Sequence, residues 1–590
     1  MPWTLYRYIL LDVLKVLVPA TIVLVLVISF LVAMKPLADG MLGPGLMVKF
    51  ILYTMPTVLG FALPFAAAFA STFVFIRLAT DNEITAAATS GISYAKILLP
   101  ILALGLAMTM GLFIMANFVV PSFNRYAART LQKDFVTAMV SRLNQNRSFV
   151  IEDKNLVLYA DQARSQSLTT EQARKLRPNA DTLPTKRIQL TGFAGMKLGG
   201  NGNVEGEATA RRAEVLVYPT QPRTTTEIQL FDYVAYTITN QRIDESVTEN
   251  VRPWRIKLPQ QFESDPEHLS YWELRRLRRE PHRHDPVQAR VKTLGSALAR
   301  TAIERRLKNA LAADNPAVRN KVELAGAEPG SRYVIHAPRV TKTEAGLTLS
   351  GETDHPVQVS YFEQTEPGGE RELRRRYEAD RAELTLARAA ESGAQGLFGL
   401  SRAEVGPVPT INLTLQRVSI YATRTTTRPT QKDSHTLARL RWPGRIFQSV
   451  NLNTTQPLRI PPLRKIAGQP AFQNAGPVQS ALSSLSGTLH RLNQQIFAQF
   501  HRRAASAIAC LLLLVLGAVL SMQLKGQMPL VVYLWSFLLA IFALIIIHAS
   551  GRQMAGSGQF ALWEALGVMW SANLLLAIVI GVMYCRLARH

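Results

Sequence analysis

The chain has 590 residues, 48% of them apolar, and its 66 Lys+Arg against 42 Asp+Glu leave a formal net charge of +24. Two cysteines exclude a disulfide scaffold, and a mean hydropathy of +0.08 in so charged a chain excludes a simple soluble globule. Hydropathy and charge are separated along the chain: ten of the basic and five of the acidic residues lie in 1–120 and 504–590, which leaves a net +19 on 121–503.

A bilayer core about 30 Å thick needs about 20 apolar residues in helix. The first part of the chain supplies three such runs, 16–34, 50–76 and 97–119. The first is too long for the apolar region of a signal peptide, and no A-x-A cleavage pattern follows it before Lys35. It is therefore expected to be retained as a signal anchor. Pro56 and Pro64 predict a kink in the second run, which membrane helices tolerate where neighbours satisfy the freed carbonyls. Between the second and third runs, Thr80-Asp81-Asn82-Glu83 fits a capping box, Ala86–Ala88 favour helix, and Gly91 is a natural stop. A short helix is expected there.

Much of 147–425 has the pattern of short strands separated by Gly/Pro/Asp/Asn clusters: Phe149–Ala160, Arg187–Leu198, Glu227–Ile238, Arg332–Ala337, Pro356–Glu363 and Ile411–Ala422. The pattern fits a sandwich, jelly roll or open barrel. Ala210–Val215 (ARRAEV) resembles Ala379–Leu384 (ADRAEL), and similar strands precede and follow each copy, which predicts two β-modules over about 145–260 and 330–430. Between them, Tyr271–Glu280 and Asp285–Asp314 predict basic helices. In the second, Val291, Leu294, Leu298, Ile303, Leu307 and Leu311 mark one face. Such a helix either lies on an anionic membrane surface or packs on its own β-module. His282, His284 and Asp285 lack a fourth ligand at metal-site spacing and are expected to be loop residues. Residues 425–485 are rich in Pro, Ser, Thr, Gln and Asn and predict a partly ordered return segment; helix is expected to resume at about Leu485.

Three more apolar runs follow, at 504–524, 530–549 and 563–585, with Cys510 and Cys585 expected as small core residues. Ala103, Ala107 and Gly111, Ser536 and Ala540, and Gly567 and Ser571 form small-residue stripes, suited to close helix approach within the bundle or to a subunit interface. The Lys/Arg bias of the short loops favours both termini inside, with 121–503 outside. No Asp, Glu, Lys or Arg lies near the middle of any run, and there is no G-x-x-x-x-G-K-[ST] loop, so energy for any transport must come from another chain.

The fold class expected is thus an α-helical membrane protein of six transmembrane helices (3+3) with a large inserted, jelly-roll-like extracytoplasmic β domain in two modules. Its parts are 1–120 (helices one to three, with a cytoplasmic coupling helix at about 80–91), 121–260 (first β-module), 261–330 (basic helical insert), 331–430 (second β-module), 431–503 (return segment and pre-membrane helix) and 504–590 (helices four to six).

This order resembles the LptF/LptG family of lipopolysaccharide-export permeases. The residues that carry the resemblance are Tyr8-Ile9-Leu10, Pro64, Asp81-Asn82-Glu83-Ile84-Thr85 with Ser90-Gly91-Ile92-Ser93 and Pro100, Phe500-His501-Arg502-Arg503, and Leu524-Lys525-Gly526. They cover roughly 1–260 and 485–590. The resemblance implies a permease working in the bacterial inner membrane with a cytoplasmic ABC ATPase, a paralogous permease or a second copy of itself, and a periplasmic β-fold bridge. Its substrate would be lipopolysaccharide or a related glycolipid. It also implies that Glu83, within the Thr80, Asp81, Glu83, Gly91 element, meets a basic residue of the ATPase; as an alternative, Glu83 only caps its helix. Lys35 lies where the family places basic residues on head-group phosphates. Lys49, Arg552, Arg502 and Arg503 are candidates by location, with interfacial snorkelling as the alternative. No catalytic residue, metal, cofactor or nucleic-acid partner is expected. The rival reading is a membrane-anchored envelope scaffold whose β-modules bind periplasmic partners without transport; a membrane-anchored enzyme is a weaker third, since no catalytic constellation stands out.

Overall fold

The computed structural model describes residues 3–38, 44–145, 148–151, 156–176, 183–198, 203–218, 225–239, 242–248, 252–257, 266–311, 321–326, 330–343, 346–351, 355–364, 371–387, 408–422, 429–452, 457–524, 527–556 and 562–589. The chain divides into two compact units. One comprises Met1–Arg147, Pro259–Pro281 and Leu489–His590; the other comprises Ser148–Leu258 and His282–Thr488.

The first unit is helical. It contains α1 (Trp3–Ala38), α2 (Pro44–Thr80), α3 (Glu83–Thr89), α4 (Tyr94–Ile114) and α5 (Val120–Asn144). A single π-helical turn, Met115–Val119, joins α4 to α5. Pro121 explains the turn's position, because it has no N–H to donate back along the helix. Among the described residues, six helices are long and apolar enough to cross a membrane, as the composition predicts. The other three crossings lie in α11 (Gly476–Gln523), α12 (Pro529–Gly556) and α13 (Leu562–Arg589). Ala66, Ala67, Ala70 and Val74 of α2 share a buried cluster with Ala507, Leu514 and Ala518 of α11. Small side chains let these two helices close up. At Gly517 an added Cβ would lie 2.8 Å from both the Ala68 carbonyl oxygen and the Thr72 hydroxyl. The outward faces stay apolar, with Val18, Ile22, Leu26, Leu538, Phe542, Ile578 and Val582 exposed, as lipid-facing surfaces require.

Of the small-residue stripes, Ser536 and Ala540 pack inside, whereas Ala103, Ala107, Gly111, Gly567 and Ser571 face outward. Cys510 is buried; Cys585, expected in the core, is exposed.

The second unit contains two eight-stranded antiparallel sheets. The first is built from β1 (Phe149–Ile151), β2 (Leu156–Tyr159), β3 (Gln162–Ser167), β4 (Lys186–Leu198), β5 (Val204–Tyr218), β6 (Thr225–Thr239), β7 (Arg242–Thr248) and β8 (Arg252–Lys257), with the short helix α6 (Thr170–Leu176) between β3 and β4. The predicted single strand Phe149–Ala160 is two strands, β1 and β2, paired with each other. The second sheet is built from β9 (Lys321–Ala325), β10 (Arg332–His336), β11 (Arg339–Thr343), β12 (Gly346–Ser350), β13 (Val357–Gln364), β14 (Arg371–Ala387), β15 (Thr410–Ala422) and β16 (Thr430–Leu440).

The two sheets repeat one pairing plan. β2 and β3 each pair one half of β4, as β10 pairs β13 and β11 pairs β12. β4 pairs β5 along its length, as β12 and β13 together pair β14. β5 pairs β6 and β14 pairs β15. Both of these pairs are interrupted at the same point. Ala210 faces Tyr233 and Arg212 faces Phe231, and likewise Ala379 faces Val418 and Arg381 faces Gln416. The residue skipped on the second strand has positive φ in each case, Asp232 at 51° and Arg417 at 49°. The ARRAEV/ADRAEL likeness therefore falls on the interruption. Ala210, Ala213, Ala379 and Ala382 are buried there, where side chains no larger than a methyl fit a break in the pleat.

α7 (Tyr271–Arg279) belongs to the first unit, and α8 (Asp285–Leu311) to the second. The apolar face read for α8 is confirmed as buried at Val291, Leu294, Leu298, Ile303 and Leu307; the side chain of Leu311 lies outside the described residues. Arg306 of α8 donates to the Ile446 carbonyl (2.7 Å), and Gln288 donates to that of Leu458 (3.1 Å). The predicted return segment is more ordered than its composition suggested. It holds β16, α9 (Ile460–Ala467) and α10 (Pro470–Gln473), and α11 starts at Gly476 rather than Leu485.

Candidate functional site: the two ends of the helical bundle

At one end, α2 continues through Thr80, whose hydroxyl donates to the Ile76 carbonyl at 2.8 Å. The predicted capping box is therefore not formed. Asn82, at φ 60°, turns the chain with no side-chain cap, and Glu83 is the first residue of α3. The reason is local: Thr80 has helical backbone and has already spent its hydroxyl, so it cannot also cap a following helix. Gly91, at φ +82°, closes α3. Its N–H donates to Ala88 (3.0 Å) and that of Ile92 to Ala87 (3.1 Å), a Schellman pair.

Ile84 anchors α3, leaving Asp81, Glu83 and Gly91 exposed. The Glu83 carboxylate accepts from the Tyr8 hydroxyl of α1 at 3.2 Å. One turn further along α1, buried Asp12 accepts from Arg77 of α2 and from Lys15 (3.1 Å). Helix α1 is thus tied to α3 through Tyr8 and Glu83 and to α2 through Asp12 and Arg77. Sequence reasoning missed Tyr8, Asp12 and Arg77 as partners. The Asp12/Lys15 spacing was the signal available for the intrahelical pair; nothing in the sequence marked Arg77.

At the other end the candidate cations behave differently from one another. Lys35, in the last turn of α1, and Lys49 of α2 are exposed. Arg552 lies in α12, and its side chain is outside the described residues, as is Lys525. Arg502 and Arg503 come together, but on protein acceptors. Arg502 pairs with Glu267 (2.6 Å) and Gln499 (2.9 Å). Arg503 is buried and donates to the carbonyls of Glu267 (3.0 Å) and Leu269 (2.7 Å) and to the Asn117 amide oxygen (3.3 Å). Burial alone would raise the Glu267 carboxyl, but the Arg502 charge and hydrogen bond bring it below its ordinary 4.5.

A second tie lies beside this one. Arg125 of α5 grips Glu273 of α7 through its two terminal guanidinium nitrogens, at 2.7 and 3.0 Å. Ser270 and Glu273 form a capping box at the start of α7 that was not predicted from the sequence. The Glu273 carboxyl also sits below its ordinary value, because hydrogen bonds from Ser270 and the Arg125 charge outweigh its burial. Asn124 bonds Thr57 (2.6 Å) and the His268 ring (3.2 Å). Segment 266–273 is thereby clasped to α5 and α11, with Asn124 of α5 in turn held by Thr57 of α2, where the α4/α5 and α11 crossings reach their ends. The S-x-x-E pattern was legible at Ser270; the partners Arg125 and Asn117 were not.

Among the described residues, no group of three or more His, Cys, Asp and Glu is placed to hold a metal ion. The sequence profile of the family described as lipopolysaccharide export system permease LptF/LptG matches residues 7–313 and 412–586. The match takes in segment 266–273 and α7, which the motif-by-motif resemblance, covering roughly 1–260 and 485–590, had left out. It omits 314–411, which holds β9–β14 and the first residues of β15. No individual curated protein matches the chain.

Proposed function

The chain belongs to the LptF/LptG family of lipopolysaccharide-export permeases, and from that premise we propose that it is the permease subunit of an ABC-type exporter. A separate cytoplasmic ATPase drives it, and it passes lipopolysaccharide or a related glycolipid from the inner membrane to a periplasmic β-fold bridge. It pairs with a paralogous permease or with a second copy of itself. Both termini are cytoplasmic and the β unit is periplasmic.

The observation that carries this reading is the α3 element. A short helix, closed at its far end by the Gly91 turn, on the loop between two membrane crossings presents Asp81 and Glu83 to solvent and is wired to α1 through Tyr8. A basic residue of an ATPase that engages Glu83 competes with the Tyr8 hydroxyl and so acts on α1 as well as on α3. The β unit offers a reason to receive lipid. Leaving the bilayer costs about 0.8 kcal/mol per methylene exposed to water, and the inner faces of both sheets are apolar: Leu190, Leu230, Leu349 and Val359 among others. These side chains are covered in the structure, so acyl chains enter only when the cover opens.

The test is co-purification and coupled transport with the native ATPase. Glu83→Ala is expected to release the ATPase while leaving the six-helix fold intact. If Glu83→Ala binds the ATPase and transports lipid as the parent does, the coupling role is lost. If the parent itself never co-purifies with an ATPase, the scaffold reading replaces the transport reading.

A further inference from the structure

Helix α7 does more than join the two units in sequence. Its sequence YWELRRLRR places Leu274 and Leu277 on one face, and both are buried. The opposite face, at helical spacing i, i+3, i+4 and i+7, carries Trp272, Arg275, Arg276 and Arg279, and all four are exposed. Trp272 is 62% exposed. Its ring meets that of Tyr271 edge-on at 5.4 Å and otherwise faces outward among the arginines, an amphipathic group suited to a boundary that is apolar on one side and wet on the other. Among the described residues, only Arg276 of these three arginines has an acidic partner, Glu280 at 3.7 Å.

The height of this face is set by its ties. The Tyr271 ring lies 6.4 Å from that of Phe118 and 5.3 Å from that of Phe500. Arg125 holds Glu273, and Arg503 holds the carbonyls just ahead of the helix. Phe118 closes the α4 crossing and Phe500 precedes the α11 crossing, so the helix is pinned at the level where apolar chain gives way to polar. A tryptophan with arginines around it is the side-chain set favoured at that level. The indole sits among head groups and the guanidinium groups pair with phosphates.

We propose that the Trp272/Arg275/Arg276/Arg279 face of α7 is a membrane-surface contact that binds the phosphate-bearing head groups of the surrounding bilayer. It fixes the depth of the helical bundle on the side where the chain departs into the β unit. The contact is with bulk anionic phospholipid, and it depends on the six helices crossing a bilayer rather than on the transport reading.

The test uses the full chain in nanodiscs containing phosphatidylcholine and phosphatidylglycerol, with bromine on the acyl chains of one lipid at a time. The difference in tryptophan fluorescence between the parent and Trp272→Phe isolates the signal of Trp272. That signal should be quenched by brominated lipid and protected from aqueous iodide. Brominated phosphatidylglycerol should quench it more than its share of the lipid predicts. Replacing Arg275, Arg276 and Arg279 by Gln should reduce that preference by a factor of about five per arginine. A Trp272 signal open to iodide and untouched by either brominated lipid overturns the contact. Quenching with no preference for phosphatidylglycerol, or a preference that survives the triple substitution, overturns the head-group recognition. Neither readout involves an ATPase or lipopolysaccharide, so either can fail while the permease reading stands.

Discussion

Arg502 and Arg503 are neighbours in sequence and share the same short-range signal, two cations just ahead of a membrane run. Their positions in the fold separate them from the exposed Lys35. Arg503, itself buried, gives one hydrogen bond to a buried acceptor and two to part-buried carbonyls, and a bond from a charged donor is worth about 1.5–3 kcal/mol. Arg503→Met should therefore destabilise the first unit by on the order of 3 kcal/mol, seen as an earlier thermal transition of the full chain in detergent. Lys35→Met should leave the transition in place. Equal behaviour of the two variants would mean that the clasp contributes nothing. The same separation holds at the opposite end. Glu83 was legible as an exposed acidic residue on a short helix, but its hydrogen bond came from Tyr8, 75 positions away. No local pattern could have marked that partner, because two crossings of the bundle bring the residues together.

At the scale of elements, two glycines show two different constraints. Gly91 ends α3 at φ +82° with open space around it, so Gly91→Ala costs only the left-handed backbone, about 1 kcal/mol. Gly517 has no such dihedral but faces the Ala68 carbonyl of α2, so Gly517→Val must push α11 from α2 and should cost about 1–3 kcal/mol. Thermal shifts of the two variants check this order; a larger shift for Gly91→Ala would contradict the tight α2–α11 approach. The helices were legible because 20 apolar residues in a row have few alternatives. Their ends were less so. α11 begins nine residues before the expected start, and Ser/Gln-rich segments gave no periodicity to show it. The strands were legible as elements, yet the hairpin within 149–159 was read as one strand, because alternation alone does not reveal a turn.

At the scale of the whole chain, the two sheets share a pairing plan down to the skipped residues Asp232 and Arg417, and the family match omits most of the second. No strand of one sheet pairs with a strand of the other among the described residues. Removal of 321–441 should therefore leave the first sheet and the helical unit folded, whereas a cut from 270 would also remove α7 from the clasp. We expect the 321–441 deletion to insert normally and to lower lipid transfer to the bridge, if the second sheet prolongs the path of the acyl chains. Transfer and bridge binding at parental levels would exclude that role.

By itself the sequence determined that this chain crosses a membrane six times, carries a large basic β insertion, and resembles one permease family. The first two follow from composition and local periodicity and the resemblance from short motifs, and all of these survive any arrangement in space. Only the tertiary structure decided which charges are spent and which are offered. Asp12, Arg77, Arg502 and Arg503 look as available in sequence as Arg275 and Arg279. Burial and the geometry of distant acceptors consume the first group and leave the second on an open face, and both depend on contacts between segments from 65 to 386 residues apart.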